Sequence, residues 1–300
     1  MESQKHTPVY LTANYHTHTA RCGHAVGADE EYVKAAIAAG MQVLGFSDHI
    51  PWPDQVPPRD TLHMRMNRAA EYAASVCALR EKYRDQIAIY LGFEAEYLPE
   101  FYEAQMKMCE ELDVDYLIMG QHFLPESLIY AGSRTGSRRV LEQYVDTVLE
   151  GLSTGAYSCL CHPDLVDFAG DGAFYRKQMR RLCEGVKKMG IPLEINLLGL
   201  GEGRHYPNER FWTIAERRET ARSSVWMPMI PRASENIGSL KRPLHWQSGV
   251  DWKWRRGWNF PRQRPGGSAC STVIFSGGSE SRADVPGSPA RCCCAGSRPP

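Results

Sequence analysis

Strand-like and helix-like segments alternate from residue 8 to residue 200, and this alternation confines the chain to a parallel α/β architecture. A strand-like PVYLTANYHTH runs up to His18, and a helical DEEYVKAAIAAG follows, with Asp29 as N-cap and Gly40 as terminator. MQVLGFSDH is the second strand. The alternation continues as helix NRAAEYAASVCALREKY, strand IAIYLGFEAEY, helix EFYEAQMKMCEEL, strand VDYLIMGQHF, helix RVLEQYVDTVLEGLS, strand YSCLCHPDL, helix FYRKQMRRLCEGVKKMG and strand IPLEINLLGL. Short apolar runs such as YLIM suit strands buried on both faces. Six such strands imply a parallel sheet, either doubly wound or closed into a barrel.

Every one of these strands delivers polar residues at its C-terminal end: His16 and His18, then Asp48 and His49, Glu94 and Glu96, His122, His162 with Asp164, and Glu194 with Asn196. In α/β folds that edge is where ligands bind, so the residues converge on one pocket. Each has a plain structural reading on its own. An His-x-His pair on a strand shares one face and suits a single ion, but exposed strand histidines are common. His24 in CGHA reads as surface, with Cys22 as either ligand or packed thiol, and Asp48-His49 reads as a turn into the Pro-rich IPWPDQVPP. His122 and His162 each read as core histidines. Glu94 behind YLGF needs a cation or a hydrogen-bond network if it is buried. Together at one edge, they have a simpler shared cause: a polynuclear metal site of histidines and carboxylates, which favours Zn, Mn or Fe over Mg or Ca.

Composition divides the chain. Residues 216–300 hold 14 Lys and Arg against 6 Asp and Glu, whereas residues 1–215 hold 21 against 29. The later part is rich in Ser, Gly and Pro, carries five of the seven tryptophans, and ends RCCCAGSRPP. It has few periodic apolar stretches with which to offset the entropy of ordering. No run of 18 apolar residues and no leader pattern occurs, which places the expected location in the cytoplasm and away from membranes. The cysteines scattered through core-like segments argue against a disulfide scaffold.

The series HTHT, GFSDH, GFEAEY, GQHF, CHPD and EIN, in this order and with RCGHA added, resembles the polymerase-and-histidinol-phosphatase (PHP) family, in its histidinol-phosphatase branch, over about residues 10–215. The resemblance implies a distorted (β/α)7 barrel with about three metal ions, and hydrolysis of the small phosphomonoester L-histidinol phosphate in histidine biosynthesis. It assigns His16, His18, His24, His49, Glu94, His122 and His162 as metal ligands, with Glu94 bridging two ions and Glu94 and His122 at a catalytic centre that needs no side-chain nucleophile. Arg204 in the loop GEGRHYPN is the candidate phosphate clamp, since its fork matches phosphate oxygens; a solvated loop arginine is the other reading.

The family's seventh strand ends in an Asp-x-His motif, which this chain lacks: after Ala215 it runs ERRETARSSVWMPMIPRASEN. The expectation is therefore an incomplete barrel over residues 1–215, without its native seventh strand, and then an irregular tail over residues 216–300 that reads as out of frame. Activity is then impaired or lost. Two other readings belong here. The family includes nucleases, and KWRRGWNFPRQR mixes cations with aromatics, but the acidic balance of residues 1–215 opposes nucleic acid as partner. A barrel that binds metal or phosphate without turnover is the other.

Overall fold

The computed structural model describes residues 12–53, 62–125 and 127–217, together with the backbone of 224–226. Five strands, β1 (Ala13–Thr17), β2 (Val43–His49), β3 (Ala88–Ala95), β4 (Tyr116–Met119) and β5 (Cys159–Leu160), lie side by side in sequence order, all parallel. A bridge between Leu160 and Leu193 hands the series on to β6 (Glu194–Asn196), which pairs in parallel with β7 (Ser224–Trp226). β7 in turn lies beside β1, so the two ends of the strand series approach each other. The connections carry α1 (Asp29–Ala38), α2 (Ala69–Lys82), α3 (Pro99–Glu111), α4 (Arg138–Ser153), α5 (Gly172–Met189), the short α6 (Leu197–Gly201) and α7 (Glu209–Arg217). This is a curled parallel sheet of the (β/α) barrel type. No described helix is long and apolar enough to cross a membrane.

The sequence leads us to expect a barrel without its native seventh strand; a short strand, Ser224–Trp226, stands next to β6. It pairs in parallel with β6 in the register Glu194↔Ser224, Ile195↔Val225 and Asn196↔Trp226. After Trp226 the chain runs Met-Pro-Met, which is no ligand motif. The rest of the proposed out-of-frame tail, residues 218–223 and 227–300, lies outside the described residues.

The helices obey their apolar periodicity. α4 buries Leu141, Tyr144, Val145, Val148 and Leu152, a single face at three- and four-residue spacing, and Ser137 caps it by accepting the Val140 N–H. α5 buries Tyr175, Met179, Leu182, Cys183 and Val186 against it, capped by Asp171 and ended at Gly190 with φ +71°. Asp29 is the first residue of α1 and not its cap, since its carboxylate is engaged by Arg21 at 2.7 Å and Ser75 at 2.5 Å. The strand expected to run through LLGL stops at Asn196, whose side chain accepts the Gly199 N–H at 2.9 Å and turns the chain into α6.

Below the polar edge, the interior is plugged by Tyr116. Its hydroxyl lies 2.7 Å from the Tyr15 carbonyl and 3.0 Å from the Phe46 carbonyl, which share its one hydrogen, so the ring reaches from β4 across β3 and β2 to β1. Gly45 and Gly92 make room: a Cβ at position 92 would sit 2.4 Å from the ring. Gly92→Ala is therefore expected to destabilise the fold by about 1–3 kcal/mol or more through overpacking. Urea or thermal unfolding checks this, and each kcal/mol lowers the midpoint by about 2–4 °C in a domain of this size.

Candidate metal centre

The strand ends supply the components of the site, and five of its histidines face one carboxylate, that of Glu94. His16 lies on β1 and His18 just past its end, and their rings turn toward each other, with Nε2 atoms 3.1 Å apart. His49 closes β2 and is the register partner of Glu94 on β3. His122 and His162 come just after β4 and β5, and His162 has φ +27°, a left-handed conformation that costs energy for a residue with a Cβ and occurs where a side chain must be aimed. His24 arrives from the loop after the helical turn Ala20–Cys22, and it alone among the candidate ligands is exposed.

Five imidazoles direct Nε2 at Glu94. On its Oε2 converge His16 (3.1 Å), His18 (3.3 Å) and His49 (3.5 Å), and on its Oε1 His162 (2.6 Å) and His122 (3.5 Å). Glu94 is 1% exposed, so this carboxylate is cut off from solvent. Imidazole nitrogens also face one another: His16 Nε2 lies 3.1 Å from His18 Nε2, and His49 Nε2 lies 3.1 Å from His24 Nδ1. Behind the histidines stand further acids. Glu194 Oε1 lies 2.7 Å from His16 Nδ1, and Glu96 Oε1 lies 3.1 Å from His122 Nδ1. His18 Nδ1 meets the Cys22 thiol at 3.3 Å, with Asp48 at 4.0 Å held in turn by Thr19.

Electrostatics sorts these groups. Burial alone raises the Glu94 carboxyl, but His16 and His122 outweigh it and hold it well below the usual carboxylate range. Burial alone lowers His16, yet Glu194 and Glu94 hold it well above its ordinary value; His122 is raised in the same way by Glu94 and Glu96. Burial wins at His49 and His162, which are lowered to the neutral form that ligates metals. Their Nδ1 atoms are buried without partners among the described residues.

A buried carboxylate ringed by more imidazole nitrogens than it has lone-pair directions is a candidate cation site. Groups of three ligand atoms close enough to share one ion include His18-His24-His49, His16-Glu94-His162 and His49-Glu94-His122. Nitrogen and carboxylate donors of this kind fit divalent Zn, Mn or Fe. All seven residues that the sequence offers as candidate ligands thus lie in one cluster. Arg204 stands at the rim, with Nη1 on the Tyr206 hydroxyl at 2.6 Å and a double contact to Glu202. The Tyr206 ring lies 5.7 Å from that of His162.

Sequence reasoning left three participants unassigned. Glu194 and Glu96 were visible as strand-end acids without a role. His63 was not singled out: it sits in a loop without periodicity, stacks on Trp52 with ring centroids 4.4 Å apart, and contacts both Glu96 oxygens at 3.2 Å.

The comparisons with known proteins agree with this geometry. A family model for the PHP domain matches residues 14–197. The chain belongs to the PHP family. A Deinococcus radiodurans protein named probable histidinol-phosphatase is 35% identical over 111 residues, covering 36% of this chain and 41% of that one. The Bacillus subtilis histidinol-phosphatase is 29% identical over 119 residues, covering 36% of this chain and 43% of that one. The chain thus aligns with less than half the length of these curated PHP relatives. A Lactococcus lactis histidinol phosphate phosphatase, solved with zinc, L-histidinol and phosphate, superposes with a TM-score of 0.57 at 16% identity over 76% of this chain and 92% of that one. At that identity the likeness establishes the PHP barrel and nothing finer.

Proposed function

We propose that this chain is a metal-dependent phosphomonoester hydrolase whose substrate is L-histidinol phosphate. The observation that carries the reading is the convergence of five histidine Nε2 atoms on the buried Glu94 carboxylate. The names of the curated relatives, and the ligands in the Lactococcus structure, support the substrate.

His16, His18, His24, His49, Glu94, His122 and His162 would hold the ions. Divalent cations, when bound, supply Lewis acidity toward a phosphoryl oxygen and acidify a water to near neutral pH. The chain's own contribution is to exclude bulk water around Glu94, hold His49 and His162 neutral, and present a cation at the rim. That cation is Arg204, whose charge is felt at His24: burial of the His24 ring comes first, neighbouring imidazoles and Arg204 add to it against the opposing Glu94 carboxylate, and the ring is pushed down to about 3. Arg204 is assigned to the phosphate. Arg204→Ala is expected to raise KM about 10- to 100-fold, the range for a lost hydrogen bond between charged groups; an unchanged KM and kcat would remove it from the site.

Turnover is proposed to be low, because no Asp-x-His occurs after Trp226. We take residues 1–215 as the phosphatase unit and 216–300 as sequence read out of frame; nucleotide sequencing around codon 216 that finds no insertion or deletion sinks the latter. The test of function is phosphate release from L-histidinol phosphate with added zinc or manganese, run beside a labelled oligonucleotide. Release from the small ester alone supports the reading. Binding without release makes the chain a phosphate-binding remnant, and oligonucleotide cleavage makes it a nuclease.

A further inference from the structure

The histidines around Glu94 differ in what stands behind them. An imidazole has two nitrogens, and in the neutral ring one carries hydrogen while the other offers a lone pair. Which is which is decided by the partner of the far nitrogen. For His16 that partner is Glu194, 2.7 Å from Nδ1. Glu194 is itself held: its second oxygen accepts the His162 N–H at 2.9 Å and lies 3.4 Å from the Asn196 amide nitrogen. One side chain on β6 therefore joins β1 to the loop after β5. For His122 the partner is Glu96, 3.1 Å from Nδ1, and Glu96 is steadied from the other side by His63. Both carboxylates are almost fully buried, at 0% and 1% exposure, which leaves water no access to substitute for them. Among the described residues, His49 and His162 have no partner at Nδ1.

We propose that Glu194 and Glu96 are positioning residues that fix His16 and His122 with hydrogen on Nδ1 and the Nε2 lone pair turned to the metal centre. A carboxylate accepts and never donates, so the reverse tautomer would set two acceptors against each other at 2.7 Å in a dry interior. The pair preorganises the two histidines on opposite sides of Glu94: His16 reaches its Oε2 and His122 its Oε1. The same geometry gives His63 its place, as the group that orients Glu96. The proposal rests on the metal reading of the site and is independent of the substrate.

The test uses the full chain, labelled with ¹⁵N-histidine and loaded with zinc, and three readouts: zinc affinity by competition with a chromophoric chelator, zinc content at saturation, and two-bond ¹H–¹⁵N spectra of the imidazoles. In the wild type, His16 and His122 are expected to show hydrogen on Nδ1 and metal on Nε2. Glu194→Gln and Glu96→Gln keep shape but replace the acceptor by an amide that can present N–H to Nδ1. Each is expected to weaken zinc affinity about 10- to 100-fold with zinc content at saturation unchanged. Affinity within twofold of wild type in a folded variant overturns the proposal, as does hydrogen on Nε2 in the wild-type spectrum. A fall in zinc content at saturation overturns it differently, by making the carboxylate a ligand. Should Glu194→Gln fail to fold for want of its contact to the His162 backbone, Glu96→Gln, whose carboxylate partners are the His122 and His63 side chains, decides the matter, and the wild-type spectrum needs no variant. Absence of phosphatase activity would leave every readout intact.

Discussion

Glu94→Gln is expected to lower kcat/KM for phosphate release by about a thousandfold or more and to strip the protein of tightly held metal. The magnitude is that of removing one preorganised charged group from a dry site, about 4 kcal/mol, since each tenfold is about 1.4 kcal/mol. Glutamine has nearly the same volume, so packing against Gly120 is preserved and the loss is electrostatic. The substitution leaves five imidazoles facing an amide, whose nitrogen repels cations and whose single oxygen cannot serve both groups of histidines. Metal content by elemental analysis and initial rates together check the result; a variant with wild-type zinc content and rate would show that Glu94 is not the hub.

The same variant has a pH signature in the metal-free protein. Glu94 is held below its ordinary 4.5, so its contribution to stability is present above that pH and fades as pH falls through the depressed value. His16 and His122 are held above their ordinary 6.5, so their contribution is complete below 6.5 and fades as pH rises through the raised values. Between about pH 4.5 and 6.5 all three are charged in the folded state, and the pairing counts most. Without the carboxylate, protonated imidazoles in this interior lose one of their compensating anions. Thermal midpoints measured in chelator should therefore separate most between pH 4.5 and 6.5 and draw together in alkaline buffer. A gap that widens upward in pH would contradict the assignment of charge.

The site was legible because a parallel sheet places all its strand ends on one edge, so polar residues that interrupt apolar runs in GFSDH, GFEAEY and CHPD mark that edge wherever the helices lie. The roles of Glu96 and Glu194 were not legible. Spacing along a strand says which face a carboxylate is on, but not whether it reaches the ions or the back of a histidine, and that depends on ring orientations across strands. His63 left no signal at all, since its partners Trp52 and Glu96 are joined to it only by the fold. β7 was missed for another reason: a three-residue strand has no periodicity, and its pairing is decided by the open edge of β6. The glycines of GFS, GFE and GQH are explained only in three dimensions. Gly45 and Gly92 are vacated for Tyr116, and Gly120 for Glu94.

Gly120→Ala should therefore disable the site although position 120 supplies no ligand atom of its own. A Cβ at position 120 would lie 2.0 Å from Glu94 Oε1, 2.6 Å from its carboxyl carbon and 2.8 Å from Cγ. Three successive atoms of the side chain are blocked, so rotating the carboxylate alone does not clear the clash. An unrestrained glutamate would swing aside at little cost, but this one is fixed by His162 at 2.6 Å and by His16 at 3.1 Å. Strain must be stored in packed strands or the carboxylate must leave the histidines, and the second path leaves buried imidazoles without their anion. We expect a folded protein whose zinc affinity falls at least about 100-fold, the upper range for disturbing the support of a metal ligand. Gly136→Ala is the control: its Cβ would meet nothing within 4 Å, and its stability should be unchanged or raised by about 0.4–1 kcal/mol. If both variants bind zinc as the wild type does, the close approach of position 120 to Glu94 is not what holds the carboxylate in place. If only Gly120→Ala loses zinc, the glycine of GQH is as much a part of the metal centre as the histidine two positions after it.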